Sequence, residues 1–382
     1  MGTQELKYKE VYNWVLDNIN SGALKVGEKL PSENELSERF GLSRQTVRHA
    51  VDILEQQKLV LRVRGSGTYV GGNGKTERQE RYMDIAVIST YVDSYIFPPV
   101  VRGIERVLSK RGYTTQIAFT GNRVSREQDI LNNLIDKDII DGLIVEPAKS
   151  ALPNPNLHYY QELKERGIPI LFFNSRYPEL ELPCVSMNDE QVGKKAVEYL
   201  IKNGHQNIGG VFKSDDGQGH LRYKGFLSGM LEAGIKVKDA NVVWLEAGIK
   251  VKDANVVWLD TEDFLDLDQW SDYLFHRLEG CTGVVCYNDE VAYVLSGLCE
   301  KRGIAIPDQL SIVSVDNSDL ATLASVKLAS FPHPMEALGR KAAENMISMI
   351  ENPYFDGNYL FDSDIIERDS VKVLERPRRE GM

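Results

Sequence analysis

Apolar residues in the first seventy positions recur at intervals of three and four, which is the spacing of one buried face of an α-helix. In the first segment this stripe comprises Tyr8, Val11, Tyr12, Val15, Leu16 and Ile19. Ser32, followed three residues later by Glu35, predicts a capping box at the start of a second helix. Ser43 predicts the N-cap of a third helix after a turn at Gly41. The pattern therefore predicts a helix-turn-helix.

A hairpin pattern follows the third helix. Residues 59–64 alternate between apolar and other side chains, which predicts a strand. Residues 65–67 are Gly-Ser-Gly, which predicts a turn, and residues 68–70 are predicted to form the second strand of the hairpin. The tip of this hairpin carries Arg64 and Gly67, and only glycine lets a backbone approach the minor groove of DNA closely. Three helices and a hairpin predict a winged helix-turn-helix domain over residues 1–70.

The outward face of the third helix is polar and basic, with Arg44, Gln45, Arg48 and His49 near its N-terminal end. Arginine can bond both acceptor atoms of a guanine in the major groove, and a helix N-terminus also favours phosphate. We therefore expect double-stranded operator DNA as a partner, contacted by this face and also by Thr46. The alternative is a solvated basic face without a binding role.

The periodicity changes after residues 71–80, which contain no apolar residue and predict a linker over residues 71–81. Short apolar runs then alternate with helical segments. The runs are residues 85–88, 143–145, 168–173, 208–212, 283–286 and 312–315, and the helical segments include residues 100–111, 191–203, 291–302 and 335–350. This order predicts an α/β domain over residues 82–382, with parallel sheets that form two lobes.

Polar and aromatic residues follow these predicted strands. Ligands of open parallel sheets bind beyond the carboxyl ends of the strands, so these positions are candidates for a binding site. They include Thr90, Tyr91, Asp93, Tyr95, Phe97, Glu146, Lys149, Asn174, Arg176, Lys213, Asp215, Asp216, Asn288, Asp289, Asp316 and Asn317. Carboxylates, amides and arginine hydrogen-bond sugar hydroxyls, and aromatic rings stack on sugar C–H groups. The set therefore predicts a small-molecule sugar as ligand, although each residue alone could be an N-cap or a loop residue.

The composition of the chain limits the class of protein to which it can belong. The chain of 382 residues is 42% hydrophobic with a net charge of -11, whereas residues 1–70 contain ten Lys and Arg and nine Asp and Glu. The acidic charge therefore belongs to the remainder of the chain. No apolar run approaches the roughly 18 residues of a membrane span, so we expect a cytoplasmic protein without a membrane partner. The four cysteines are too few and too scattered for a disulfide framework, and no Cys/His cluster has the spacing of a zinc site. We also expect no cofactor.

The run LPSENELSERFGLSRQTVRHAVDILEQQ, with RGSGTYV after it, resembles the winged helix of the GntR family. The resemblance implies that Arg44 and Arg48 contact bases or phosphates, that Glu33 accepts a hydrogen bond from a base, and that Gly67 enters the minor groove. Lys58 departs from the family pattern, which commonly has glycine there.

The remaining chain resembles LacI-type effector domains, on the segments VISTYVDSYIFPPVVRGIE, DGLIVEPAKSA, VVCYNDEVA and IPDQLSIVSVD. That resemblance implies that Arg222, Asn288 and Asp316 bind sugar hydroxyls, that Asn174 lies on the hinge side, and that His333 lies between the lobes. Ser314 replaces a glycine that is usual in this family. A GntR-type DNA-binding domain joined to a LacI-type effector domain is similar to the arabinose-responsive repressors. This resemblance implies L-arabinose as effector.

These observations predict a sugar-responsive transcriptional repressor that binds operator DNA as a homodimer and is released by a pentose. The same architecture responding to another sugar is the first alternative. A sugar-binding protein without a regulatory role would leave the winged helix unexplained. An enzyme is disfavoured because the sequence lacks a nucleophile-base signature, a phosphate loop and a metal cluster.

Residues 231–244 recur letter for letter as residues 245–258. A segment beginning LEAGI is expected to end a helix, with its glycine as C-cap and a strand after it. Two copies cannot both occupy that place, so we expect one copy to pack and the other to bulge outward.

Overall fold

The computed structural model describes residues 7–25, 27–57, 59–63, 66–71, 81–92, 95–235, 256–259, 271–352 and 355–375. The chain divides into two compact units. The smaller unit consists of Met1–Arg81 and Glu351–Phe355, and the larger unit of Tyr82–Ile350 and Asp356–Met382. The domain boundaries drawn from the sequence stay a prediction.

The smaller unit contains three helices and a hairpin: α1 Lys7–Asn20, α2 Glu33–Phe40, α3 Arg44–Gln56, β1 Val60–Val63 and β2 Gly67–Val70. Ser32 caps α2 in a complete capping box with Glu35, and Ser43 caps α3 by accepting a hydrogen bond from the Thr46 amide. Gly41 adopts the left-handed φ of 63° that the turn between α2 and α3 requires. Apolar residues of all three helices and both strands form one core. The predicted winged helix-turn-helix is confirmed.

The larger unit alternates strands and helices. In chain order these are β3 Asp84–Ser89, α4 Phe97–Lys110, β4 Thr114–Phe119, α5 Val124–Lys137, β5 Gly142–Val145, α6 Leu157–Glu165, β6 Ile170–Phe173, β7 Cys184–Met187, α7 Asp189–Lys202, β8 Ile208–Lys213, α8 Gly217–Glu232, β9 Val256–Leu259, α9 Ser271–Arg277, β10 Gly283–Cys286, α10 Asp289–Lys301, β11 Ser311–Asp316, α11 Leu320–Leu323, β12 Ala329–Pro332, α12 Met335–Glu351 and β13 Tyr359–Phe361.

The strands form two parallel sheets, one in each lobe. The six-stranded sheet of the first lobe has the order β13-β7-β6-β5-β3-β4, and the five-stranded sheet of the second lobe has the order β12-β11-β10-β8-β9. Apolar side chains pack on both faces of each sheet, as parallel sheets covered by helices require. The predicted α/β class with two parallel sheets is confirmed.

The chain passes between the lobes at three places. After β7 it enters the core of the second lobe, after β12 it returns as α12 to the core of the first lobe, and after β13 it reaches the second lobe again. In the first-lobe sheet β3 lies between β4 and β5, and in the second-lobe sheet β8 lies between β9 and β10. The direction of the strand order therefore reverses at these strands, which creates a switch point between β3 and β5 and another between β8 and β10. These are the positions where doubly wound sheets bind ligands.

The described parts of the tandem copies take different roles. The first copy supplies the end of α8, where Gly234 has a φ of 72°, and the second copy supplies β9, which pairs in parallel with β8. Residues 236–255 lie outside the described part of the chain, so the expected outward bulge stays a prediction. Within the described residues no helix is both long and apolar enough to span a bilayer.

Candidate DNA interface and interlobe cavity

The exposed face of α3 forms a shallow concave surface on the smaller unit. Its lining comprises Tyr8, Arg44, Gln45, Thr46, Arg48, His49 and Asp52. Arg44, Gln45 and Arg48 are exposed. Thr46 is half-buried, and its hydroxyl lies 2.8 Å from the hydroxyl of Ser43. The structure thus brings the predicted side chains of α3 together at the N-terminal end of one helix.

Glu33 links this face to the wing. Its carboxylate accepts a hydrogen bond of 3.2 Å from Arg48 Nη2 and another of 3.2 Å from Arg62 Nη2. Arg62 also binds Asp52 and Glu55. Burial lowers the pKa of Arg62, but Asp52, Glu55 and Glu33 outweigh burial and the pKa is raised overall. Sequence reasoning missed Arg62, because its role depends on carboxylates that come together only in the fold.

The wing depends on Gly67 at the start of β2. Its φ of 131° is unfavourable for any residue with a Cβ, and a Cβ there would lie 2.5 Å from Lys29 Cε. Lys29 pairs with Tyr69 and so places a third short extended segment beside the hairpin. Arg64, the other predicted wing residue, lies outside the described residues.

A cavity of about 320 Å³ lies between the lobes, where the carboxyl ends of both sheets meet. It is lined by Thr90, Tyr91, Ile96, Phe97, Asn122, Glu146, Pro147, Ser150, Asn174, Ser175, Lys213, Asp215, Asp216, Gln218, Tyr287, Asn288 and Glu290. Both switch points contribute, through residues after β3 and β5 and residues after β8 and β10. Of the predicted effector residues, Glu146, Asn174 and Asn288 lie on its wall.

Glu146 is the centre of the first-lobe wall. It accepts hydrogen bonds from the Thr90 amide at 3.1 Å, the Thr90 hydroxyl at 2.6 Å and Asn174 Nδ2 at 2.9 Å. Burial raises its pKa to about 7, although the bonds from Asn174 and Thr90 oppose that rise. Asn174 is 3% exposed and its Oδ1 has no hydrogen-bond partner. Asn174 lines the cavity, and this oxygen is a buried acceptor without a partner.

The second-lobe wall is charged. Lys213 Nζ lies 3.9 Å from Asp215 and 3.8 Å from Asp216, and Tyr287 Oη donates a 2.7 Å hydrogen bond to Asp216. Burial lowers the pKa of Lys213, but Asp216 and Asp215 outweigh burial and the pKa is raised overall. Lys213 therefore presents an ammonium donor, and its carboxylate neighbours present acceptors.

The two lobes contact each other beside the cavity. Asn122 Nδ2 donates a 3.2 Å hydrogen bond to Asp215, and the Gly217 amide donates one of 2.9 Å to Ser150 Oγ. Lys149 Nζ lies 4.0 Å from Asp215. Lys149 is thus an interlobe residue next to the cavity and not part of its wall.

Four predicted effector residues do not line the cavity and form a separate cluster: Tyr95, which is half-buried, and Arg222, Asp316 and His333, which are buried. Asp316 accepts a 2.6 Å hydrogen bond from Tyr95 Oη, and its Oδ1 lies 4.0 Å from Arg222 Nη2. Burial raises the pKa of Asp316 to about 8 against the opposing charge of Arg222. Burial also lowers the pKa of His333 to about 3, and its Nε2 has no hydrogen-bond partner.

Close helix packing positions Arg222. Helices α7 and α8 approach so closely that a Cβ on Gly193 would lie 2.0 Å from the Arg222 carbonyl oxygen. Arg222 Nε donates a 2.8 Å hydrogen bond to Asp189 Oδ1, and Nη1 donates to the Tyr287 carbonyl. Burial raises the pKa of Asp189 to about 6, although Arg222 opposes the rise. Sequence reasoning missed Asp189, which begins α7 far from any predicted strand end.

Ser314, the departure from the usual glycine, has a definite partner. Its hydroxyl donates a 2.5 Å hydrogen bond to Asp289 Oδ1, which also accepts one of 2.6 Å from Ser330. Asp289 Oδ2 accepts from the amide and hydroxyl of Ser318. Asp289 is fully buried, so these donors replace water around its carboxylate.

Several of the predicted residues have left-handed backbone conformations without being glycine. The φ angles are 45° at Lys149, 61° at Asn174 and 105° at Asp316. Such conformations cost on the order of 1–3 kcal/mol each and occur where the surrounding structure fixes them, often at functional sites. These three residues follow or end strands of the two sheets, and Asn174 lines the cavity.

The sequence matches two families. Residues 7–70 match the bacterial regulatory proteins of the gntR family, and residues 197–371 match the periplasmic binding protein-like domain. The fold is similar to the transcription regulator CcpA of Lactococcus lactis, with a TM-score of 0.64 and 21% identity over 76% of this chain and 99% of that one. It is also similar to a LacI family regulator from Enterococcus faecium with bound ribose, with a TM-score of 0.62 and 24% identity over 76% of this chain and 100% of that one.

Relatives at higher identity span the full architecture. The arabinose metabolism transcriptional repressor of Geobacillus stearothermophilus is 38% identical over 370 residues, which are 96% of this chain and 98% of the relative. The protein of the same name from Halalkalibacterium halodurans is 36% identical over 376 residues, which are 97% of this chain and 96% of the relative. The chain therefore belongs to the family of arabinose metabolism transcriptional repressors, which are not enzymes.

Proposed function

We propose that this repressor binds operator DNA as a homodimer through α3 and the wing, and that L-arabinose bound between the lobes releases it. The observation that carries the proposal is the interlobe cavity, which is lined by Asn174 with its buried, unpartnered Oδ1. The names of the two relatives at 36–38% identity support arabinose as the sugar.

The cavity wall suits a neutral sugar. Asn174 and Glu146 on one lobe and Asn288 on the other supply hydrogen-bonding groups, and the ammonium of Lys213 supplies a donor. The rings of Tyr91, Phe97 and Tyr287 supply apolar faces for sugar C–H groups. Carboxylates outnumber the lysine, which disfavours an anionic ligand such as a sugar phosphate.

The separate cluster extends the proposed site. Asp316 Oδ1 and His333 Nε2 are buried without hydrogen-bond partners outside the cavity lining, so we expect side-chain rearrangement on ligand binding to bring them to sugar hydroxyls. We assign Tyr95, Lys149 and Arg222 to the same effector site as groups that orient Asp316 or join the lobes. Arg222 Nη2 lies 4.0 Å from Asp316 Oδ1, which is beyond hydrogen-bond distance.

On the DNA side, we assign Arg44, Gln45, Thr46 and Arg48 to the major groove, with Glu33 as a base acceptor. Arg64 and Gly67 are assigned to the minor groove at the wing. Two such heads in a dimer fit the half-sites of a near-palindromic operator, in successive major grooves. Sugar binding that favours the closed lobes would then oppose simultaneous engagement of both half-sites, with a coupling of about 1–3 kcal/mol.

A mobility-shift titration of the operator with and without L-arabinose tests the proposal. We expect the shifted complex to disappear as L-arabinose rises, and sedimentation of the free protein to give the mass of a dimer. A complex that tightens with sugar would contradict release.

Calorimetry tests the identity of the sugar. We expect heat of binding with L-arabinose, and weaker binding with D-xylose and D-galactose, because one altered hydroxyl leaves a buried polar group unpaired. Absence of heat with L-arabinose at millimolar concentration, together with binding of another sugar, would keep the architecture and replace the effector.

A further inference from the structure

Glu127, on α5, is a fully buried carboxylate with five hydrogen bonds. Its Oε1 accepts from the Ala148 amide at 3.1 Å, Tyr160 Oη at 2.9 Å and Tyr177 Oη at 2.7 Å. Its Oε2 accepts from Asn154 Nδ2 and Asn156 Nδ2, each at 2.9 Å. The side chain does not line the interlobe cavity, and nothing in the proposed function uses it.

Three of these donors belong to one stretch of chain, residues 146–156, which follows β5 and which we call the effector loop. Ala148 lies near the start of this loop, and Asn154 and Asn156 lie near its end. Glu127 therefore binds the loop near both of its ends. Tyr177 adds a second contact to the loop, because its hydroxyl oxygen also lies 2.7 Å from the Ala148 carbonyl oxygen, which shares the single hydroxyl proton with Glu127 Oε1. The loop is therefore fixed from the interior of the first lobe.

The other side of the effector loop carries the contacts that matter to the ligand. Glu146 and Ser150 lie on the cavity wall, and Ser150 accepts the 2.9 Å hydrogen bond from Gly217 of the second lobe. Lys149 faces Asp215 with a left-handed φ of 45°, and its amide donates a 2.7 Å hydrogen bond to Asn122. A strained residue keeps such a conformation only when its surroundings fix it, and the bonds to Glu127 lie on either side of Lys149.

We propose that Glu127 is a positioning residue for sugar binding: by fixing the effector loop, it sets the cavity wall and the interlobe contacts that close over the ligand. The sugar part of this inference rests on the proposed function. Glu127 touches no ligand itself, so it acts through Glu146, Lys149 and Ser150.

The Glu127→Gln variant of the full chain tests the inference. The glutamine keeps the shape of the side chain, but its NH2 group replaces one acceptor oxygen. In place of Oε2 it faces the Nδ2 groups of Asn154 and Asn156, which cannot accept a hydrogen bond, and in place of Oε1 it faces the Ala148 N–H, which cannot accept either, although the two tyrosine hydroxyls there can. Glu162→Gln is the matched control, because Glu162 lies on α6 in an exposed ion pair with Arg166. Amide hydrogen exchange without sugar and calorimetry with L-arabinose are measured on both variants and on wild type.

We expect Glu127→Gln to accelerate exchange in residues 146–156 while β3 and β8 keep wild-type protection, and to raise the Kd for L-arabinose by roughly tenfold or more. The control should match wild type in both measurements. Equal acceleration in β3 would show a general structural role and overturn the inference. Unchanged exchange and affinity would overturn it as well.

A second variant covers the case in which Glu127→Gln does not fold. Tyr177→Phe removes one donor to Glu127 and the bond to the Ala148 carbonyl, and should give a smaller effect in the same segment and direction. Wild-type exchange in residues 146–156 of that variant would overturn the inference. If wild type itself takes up no L-arabinose, the proposed effector fails, and the exchange data still decide whether Glu127 fixes the loop.

Discussion

Tyr95 and Asp316, which are 221 positions apart, are joined by a 2.6 Å hydrogen bond from the Tyr95 hydroxyl to Asp316 Oδ2. Tyr95 precedes α4 of the first lobe, whereas Asp316 ends β11 of the second. The bond therefore joins the two lobes. It also holds the carboxyl group of Asp316 so that Oδ1 is turned toward Arg222.

Tyr95→Phe should weaken sugar binding, because closure then leaves Asp316 Oδ2 buried without its donor. A hydrogen bond to a charged or strongly polar partner contributes about 1–3 kcal/mol, so we expect the Kd for L-arabinose to rise roughly five- to hundredfold. Calorimetry measures the change. Tyr293→Phe is the control, since Tyr293 is exposed on α10, and equal affinities of the two variants would contradict the role of Tyr95.

Glu146 should make stability depend on pH. Burial raises the pKa of Glu146 from 4.5 to about 7. Between these two pH values the folded protein keeps the proton on Glu146, whereas the unfolded chain has released it. The stabilisation is complete below about pH 4.5 and is lost as the pH rises through 7. Wild type should therefore lose up to about 3 kcal/mol relative to Glu146→Gln between pH 4.5 and 8. Urea unfolding of both proteins checks this, and parallel pH curves would contradict it.

Local patterns were enough to predict much of the fold. The capping box of Ser32 and Glu35 and the N-cap at Ser43 depend on residues three positions apart, and both form as expected. Continuous apolar runs predicted the central strands, because those strands are buried on both faces. The parallel topology then brought Glu146, Asn174 and Asn288 to one cavity, because residues after parallel strands share an edge of the sheet.

Other features depend on tertiary contacts that no local pattern encodes. The edge strand β4 contains threonines and a glutamine, and its residues are half-buried or exposed, so it gave no continuous apolar run. Arg62, Glu127 and Asp189 were missed because their partners lie far away in sequence. Arg222 was expected as a ligand contact, but the structure first shows it as the partner of Asp189 inside the second lobe.

Arg48→Ala should weaken operator binding. Arg48 is the exposed arginine that Glu33 orients on α3, and loss of a base-reading arginine costs about 1–3 kcal/mol. If Arg48 contacts a phosphate instead, the slope of log affinity against log salt concentration should become shallower by about one unit. Mobility shifts at two salt concentrations distinguish these outcomes. Arg126→Ala, an exposed arginine of the larger unit, controls for net charge, and wild-type affinity of Arg48→Ala at both salts would remove it from the interface.

Gly67→Ala should impair DNA binding through the wing. Alanine is strained at a φ of 131°, and its Cβ would lie 2.5 Å from Lys29 Cε, so the hairpin or the lysine must move. We expect operator affinity to fall about tenfold while sugar binding is retained. Gly297→Ala is the control, because Gly297 lies in α10 with no atom within 4 Å of the added Cβ. Its unfolding free energy should be unchanged or higher by about 0.5–1 kcal/mol.

Arg222→Met should destabilise the larger unit as well as weaken sugar binding. Its removal leaves Asp189, which lies 2.8 Å from Arg222 Nε and is 1% exposed, as a buried carboxylate without a counter-charge. Breaking a buried ion pair in this way costs about 3–5 kcal/mol. Arg222 also opposes the rise in the pKa of Asp189, so without it the carboxyl keeps its proton to higher pH, and the loss of stability grows as the pH rises.

The double variant Arg222→Met with Asp189→Asn separates the two effects. Removing the stranded charge should restore part of the unfolding free energy measured in urea, because the asparagine needs no counter-charge. Sugar affinity should stay low in the double variant, since Asp316 still lacks the positive charge that Arg222 supplies at 4.0 Å. Wild-type stability of Arg222→Met would show that Asp189 finds another partner and would leave Arg222 with a role in the ligand site alone.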